Sequence, residues 1–115
     1  MDRKRSGGNI MIMEIYLNKE KAKQEGYDVR TLYYAIDQFF KAEGVPKIGH
    51  GKYGGSDDQN TFTTFGLAYS GLPKTSWFLK VVDEWYIREF GNTIKYRTDC
   101  LESYYRFFNE DGSLK

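Results

Sequence analysis

The chain predicts an α+β domain in which three main helices pack on a short, largely antiparallel sheet. Three observations carry that expectation. Residues 10–17 alternate between apolar and polar positions, and residues 28–43 place apolar side chains at helical spacing between a capping residue and a stop. The remaining strand-like and helix-like runs do not follow a regular β-α-β alternation.

The elements can be justified in order. Residues 1–9 carry Arg3, Lys4 and Arg5 followed by Ser6-Gly7-Gly8-Asn9. They read as a disordered tail, an upstream start or an appended segment, and Met11 and Met13 are alternative starts. From Ile10 to Leu17, Met13, Ile15 and Leu17 alternate with Glu14 and Tyr16, the period of a half-buried strand. Asn18 can cap a short polar helix that Gly26 stops.

Asp28 can cap the next helix, which runs to Glu43 before Gly44 and Pro46 end it. Its apolar arc is Val29, Leu32, Tyr33, Ile36, Phe39 and Phe40, opposite Arg30, Asp37, Gln38 and Lys41. Tyr34 breaks the pattern by falling on the polar side.

Residues 44–60 form a glycine-rich centre. The run from Thr61 to Tyr69 is rich in Thr and aromatic residues and is expected to be a strand covered on both faces. A short strand near Lys47 to Lys52 would pair with it. After the turn Ser70-Gly71-Leu72-Pro73, a second main helix is expected from about Thr75 or Ser76 to Phe90. Its stripe is Phe78, Val81, Val82, Trp85 and Tyr86, and Ile87 projects from the polar side. The alternative over Trp77 to Val82 is a strand. Thr93 to Arg97 reads as a short strand. Asp99 and Glu102 resemble a capping box opening a last helix, whose stripe is Leu101, Tyr104, Tyr105 and Phe108 and whose edge holds Phe107. One domain over residues 10–109 and a flexible end over 110–115 complete the expected organisation.

Composition narrows the function classes. The 115 residues contain ten Tyr, eight Phe and two Trp but one His and one Cys. Aromatic side chains supply contact area, whereas His and Cys carry much of the acid–base, nucleophilic and metal chemistry near neutral pH. A net charge of +1 argues against general nucleic-acid binding. No apolar run is long enough to span a membrane, and no secretory signal follows the basic start. A lone cysteine makes no internal disulfide, so a reducing cytosol is the expected location.

The motifs are suggestive in letters and weak in context. Gly49-His50-Gly51-Lys52-Tyr53-Gly54 matches G-x-G-x-x-G, but Gly55-Ser56-Asp57-Asp58 follows instead of a helix pattern, and its carboxylates repel phosphate. His50 with Asp57 or Asp58 could form a base and its orienting partner, although no nucleophile is marked beside them. Cys100 reads as a structural thiol. The acidic residues lack the spacing of a metal site, and no metal or cofactor is expected.

Three functions follow in order of preference. The first is a small cytosolic, non-catalytic interaction protein, such as a regulator, inhibitor or complex subunit. It would bind another protein or itself through a surface that includes Tyr34, Ile87 and Phe107. The second is a nucleic-acid-binding module using Lys52, Tyr53, Lys95, Tyr96 and Arg97. The third is an enzyme or ligand-binding protein centred on residues 47–58, with His50, Lys52, Tyr53, Asp57 and Asp58 as its candidate residues.

Overall fold

The structure is a computed structural model that describes residues 10–56, 58–90 and 95–115. The expected tail 1–9, Asp57, and Thr93 and Ile94 of the expected strand lie outside the described residues.

Strand β1 (Ile10–Leu17) is followed by α1 (Lys19–Gln24) and α2 (Val29–Ala42). The short strands β2 (Lys47–Gly49) and β3 (Lys52–Ser56) lead into α3 (Gln59–Gly71). A 3₁₀ turn and the four-residue α4 (Phe78–Val81) then precede β4 (Val82–Phe90), β5 (Lys95–Asp99) and α5 (Cys100–Phe107). The five strands lie in the order β2-β3-β1-β4-β5, and every neighbouring pair is antiparallel. β1 and β2 are therefore parallel to each other and joined through α2, while β3 and β4 are parallel and joined through α3. Two interleaved crossovers of this kind make the β-α-β-β-α-β arrangement of split βαβ folds. The α+β class is as expected, with α2, α3 and α5 as the main helices.

Local chemistry explains the ends of α2. Asp28 accepts a hydrogen bond from Arg30 N at the amino end. At the other end Gly44 N donates to Lys41 O and Val45 N to Phe40 O, a double bond pattern that needs Gly44 at φ +78°. Val45 is buried beneath that turn.

Two expectations are corrected. Residues 61–69 are helical, because Thr61, Thr64, Phe65, Ala68 and Leu72 bury one face at helical spacing and Asp58 caps the start through Thr61 N. Residues 76–90 are not one helix. Phe78–Val81 makes a single turn, and Val82 then turns extended at ψ 136° to begin β4. The long β1–β4 ladder outweighs the helical stripe, and its partner strand is too distant in sequence to be read locally. The hairpin partner of β2 is accordingly β3, not residues 61–69.

The sheet has one covered and one open face. Met11, Met13, Ile15 and Leu17 of β1 point to the helices and join Tyr53, Trp85, Phe40, Phe65 and Phe78 in the core. Tyr53 stacks on Phe40 with ring centroids 4.4 Å apart, and Trp85 meets Phe78 edge-on at 4.9 Å. Registered opposite or beside one another on the open face are Glu14 and Tyr16 of β1, Lys52 of β3, Glu84, Tyr86 and Arg88 of β4, and Arg97 and Asp99 of β5. Asp83 is the extra residue of a bulge, since Tyr16 faces Glu84 and Leu17 faces Val82. Its freed carboxylate accepts from Asn18 Nδ2 at 3.1 Å and Lys21 Nζ at 3.2 Å, tying α1 to the sheet.

Candidate functional site

The helical layer holds the least ordinary surface. No charged residue occurs between Asp58 and Lys74, so α3 is wholly uncharged although one side of it faces solvent. Phe62 and Leu67 on this helix are 63% and 48% exposed. At about 3.6 residues per turn, Leu67 and Gly71 face α2, while Phe62 lies on the flank of Tyr69. Tyr69 shares a hydrogen bond with Ser103 of α5, so α3 runs between α2 and α5.

Between α2 and α3 lies a cavity of about 380 Å³. Ala35 and Phe39 wall it on one side, Leu67 and Gly71 on the other, and Trp77 closes an end. Its polar side-chain groups are the Trp77 indole N–H and the Thr75 hydroxyl, whose Oγ1 donates to Leu72 O at 2.8 Å and accepts from Phe78 N at 3.1 Å. Both roles of the hydroxyl are thus used within the fold, and the cavity suits an apolar guest. Larger depressions are of a different kind. One of about 720 Å³ is lined by Lys19, Lys23, Asp28 and Arg30, and one of about 680 Å³ by Lys74, Lys80, Glu110 and Asp111 among others.

Tyr34 is not part of the cavity lining and projects from the outer side of α2. It is 63% exposed on α2, one residue from the wall residue Ala35. Arg30 and Lys41 flank it on the outer side of α2, while Asp37 turns toward the β2–β3 hairpin, where it accepts from Tyr53 Oη at 2.5 Å and Lys47 Nζ at 3.0 Å. Thr31, Ala35, Gln38 and Ala42 occupy the flank nearer α3, so the strip from α2 to α3 carries no charge.

The other expected surface residues do not converge with Tyr34. Ile87 lies on β4, not on a helix, and packs half-buried against the core. Phe107 is 55% exposed on α5, beyond α3.

The loop residues are also dispersed. His50 sits in the β2–β3 turn with its ring 4.4 Å from that of Tyr33, whose hydroxyl accepts from Leu17 N. Asp58 caps α3 at the far end of β3, so the strand separates it from His50. Lys52 is exposed on the open sheet face. Tyr53 is fully buried, and burial followed by its hydrogen bond to Asp37 pushes its hydroxyl far above the ordinary phenol range. It therefore stays a protonated donor inside the fold.

The open face has its own charge balance. Arg88 Nε donates to buried Glu14 Oε2 at 2.7 Å, and Arg97 lies 3.9 Å over the Tyr86 ring. Among the described side chains of this face, Lys52, Arg88 and Arg97 are matched by Glu14, Glu84 and Asp99, which leaves little net field for a phosphate backbone. The side chains of Lys95 and Tyr96 lie outside the described residues.

Cys100 is fully buried at the start of α5, and burial, with Asp99 adding to it, pushes its thiol up to about 12. The folded protein should therefore react negligibly with a thiol reagent at pH 8 and react fully once unfolded. Because the folded value is raised, this group's contribution to stability is present below about 9 and is lost as pH rises toward 12. Denaturant midpoints from pH 8 to 11 check the sign, and a shallower decline in Cys100→Ala than in the parent would identify this group's share.

Sequence reasoning missed Leu67, Gly71 and Trp77 because their segments were assigned to other elements. The available signal was the uncharged run between Asp58 and Lys74, unusual for the exposed side of a helix. Among the described residues, no helix is long and apolar enough to cross a membrane. No protein-family model matches the chain, and no curated protein is similar to it.

Proposed function

We propose that this chain is a small, non-catalytic protein-interaction module of the cytosol, a regulator, inhibitor or complex subunit, which docks through the uncharged α2–α3 face. One observation carries this reading: a largely apolar cavity opens on a strip of two helices that bears no charge. Interface centres are depleted of charge and enriched in aromatic residues, which matches Phe39 and Trp77 in the lining, with Tyr34 exposed on the outer side of the same helix α2. The lone cysteine, free and buried, fits a reducing compartment. The candidate interaction residue retained from the sequence is Tyr34.

Pull-down from a native extract tests the reading. Leu67→Glu places a charge at the cavity lip and should weaken capture of any specific partner at least about tenfold, the equivalent of about 1.4 kcal/mol. Lys52→Glu, on the open sheet face, should leave capture unchanged. Partners lost with Lys52→Glu and indifferent to Leu67→Glu would overturn the reading.

A further inference from the structure

We infer that the depression between the end of α3 and the turn after α5 is a ligand site, and that its ligand is a small zwitterion built like a free aromatic amino acid. The site goes beyond the docking reading above and shares only Thr75 with the α2–α3 cavity.

Two walls form it. One holds Tyr69 at the end of α3, Pro73 and Lys74 of the 3₁₀ turn, and Lys80 of α4. The other holds Tyr104 of α5, Phe108 and the turn from Glu110 to Gly112. A hydrogen bond between the Tyr69 and Ser103 hydroxyls ties α3 to α5. The second wall is itself a bonded turn: Asn109 N donates to Ser113 O at 2.7 Å and Lys115 N to Phe107 O at 3.0 Å, while Gly112 takes φ +90°. The enclosed volume, about 680 Å³, is that of a small-molecule site.

A nearly buried hydroxyl opens into this space. Tyr104 is only 7% exposed, and its ring stacks on Phe108 with centroids 4.9 Å apart. Its hydroxyl lies beside Gly112, 3.7 Å from where a Cβ would stand there, and bonds no described residue. Among the described residues, the fully sealed side-chain polar atom without a partner is Trp85 Nε1, so the Tyr104 hydroxyl is not sealed and gives onto the depression that its residue lines. Neighbouring hydroxyls are already committed, because Ser70 Oγ donates to Gly66 O and Thr75 Oγ1 to Leu72 O. Tyr104 therefore keeps a hydrogen-bonding capacity that a guest can use.

Charge then defines that guest. Lys74 on the first wall and Glu110 on the second have no ion-pair partner among the described residues, each other included. A purely anionic guest would meet Glu110 and Asp111, and a purely cationic one would meet Lys74 and Lys80. A zwitterion satisfies both walls, with its carboxylate toward Lys74 and its ammonium toward Glu110 and the Tyr104 hydroxyl. The rings of Tyr69 and Phe108 and the buried Pro73 are there to receive an aromatic body.

NMR titration of the full chain with L-phenylalanine, phenethylamine and 3-phenylpropionate is the test. L-Phenylalanine should shift the Ser76 and Gly112 amides and bind at least about tenfold more tightly than either analogue, one of which lacks the carboxylate and the other the ammonium. Lys74→Ala should weaken L-phenylalanine at least about fivefold and leave phenethylamine unchanged. Glu110→Gln should weaken L-phenylalanine similarly without weakening 3-phenylpropionate. Tyr104→Phe keeps the stacked ring and should cost about threefold. No shift with L-phenylalanine up to about 10 mM, an analogue that binds as tightly as the amino acid, or a selectivity untouched by the Lys74 and Glu110 variants overturns the inference. Leu67→Glu should leave all three affinities unaltered, so failure of the docking face and failure of this site are separate results.

Discussion

Gly54→Ala is expected to destabilise the protein by at least about 4 kcal/mol, a large part of the stability of a domain this size. A Cβ at this position would lie 2.1 Å from Met11 O and 3.0 Å from Ile12 Cα, both backbone atoms of the neighbouring strand. The backbone at Gly54 also holds φ +147°, which side chains rarely adopt. Neither conflict can be relieved by rotating a side chain, so β3 must part from β1 or the chain must unfold. The adjacent Gly55 is the internal control, because a Cβ there meets nothing within 4 Å. Gly55→Ala should shift stability by less than about 1 kcal/mol in either direction. Urea midpoints of the two variants make the comparison, and similar losses at both positions would sink the explanation.

The second large effect is expected at Tyr53. Tyr53→Ala empties a fully buried site against Phe40 and should cost about 3–5 kcal/mol. Tyr53→Phe keeps the ring but deprives the Asp37 carboxylate of its hydroxyl donor, and should cost about 1–2 kcal/mol. The smaller figure reflects Lys47, which still bonds the other Asp37 oxygen. The two substitutions also separate in pH. With its folded value raised, the hydroxyl stabilises the fold fully below the unfolded phenol value of about 10, and that stability is lost as pH rises above it. Tyr53→Phe should flatten this alkaline decline. An unchanged slope between pH 9 and 11 would show that Tyr53 does not carry it.

The elements that were legible in the sequence are those whose determinants are local. β1 shows its alternation, α2 its cap, stripe and Gly44 stop, and α5 its Asp99 cap, which accepts from Glu102 N in the structure. The exchange of helix and strand at α3 and β4 has a physical cause on each side. In α3, Phe62 and Leu67 remain exposed, so apolar residues on the outer side blur the helical period and Thr-rich composition favours a strand reading. In β4, Tyr86 and Arg88 on the open face and Trp85 and Ile87 on the covered face are all at least half-buried, so no alternation survives.

The site inherits that limit. Tyr34 was visible as a ring on the wrong side of a well-defined helix. Tyr53 was misread because its hydroxyl partner, Asp37, belongs to the neighbouring helix, and Ile87 because its element is a strand. The cavity is made by two helices, and one of them was not read as a helix.

The central position of β1 also sets the order of assembly. Glu14 and Arg88, which pair across β1 and β4, are 74 residues apart in sequence, and β1 bonds β3 on its other side. A chain emerging amino end first therefore holds its innermost strand unmatched along one border until nearly the last strand is made. Such long-range closure slows folding and leaves an unpaired strand border exposed while synthesis proceeds. Truncation before β4 should thus yield no smaller folded unit, only a chain with Met13 and Ile15 stripped of half their cover.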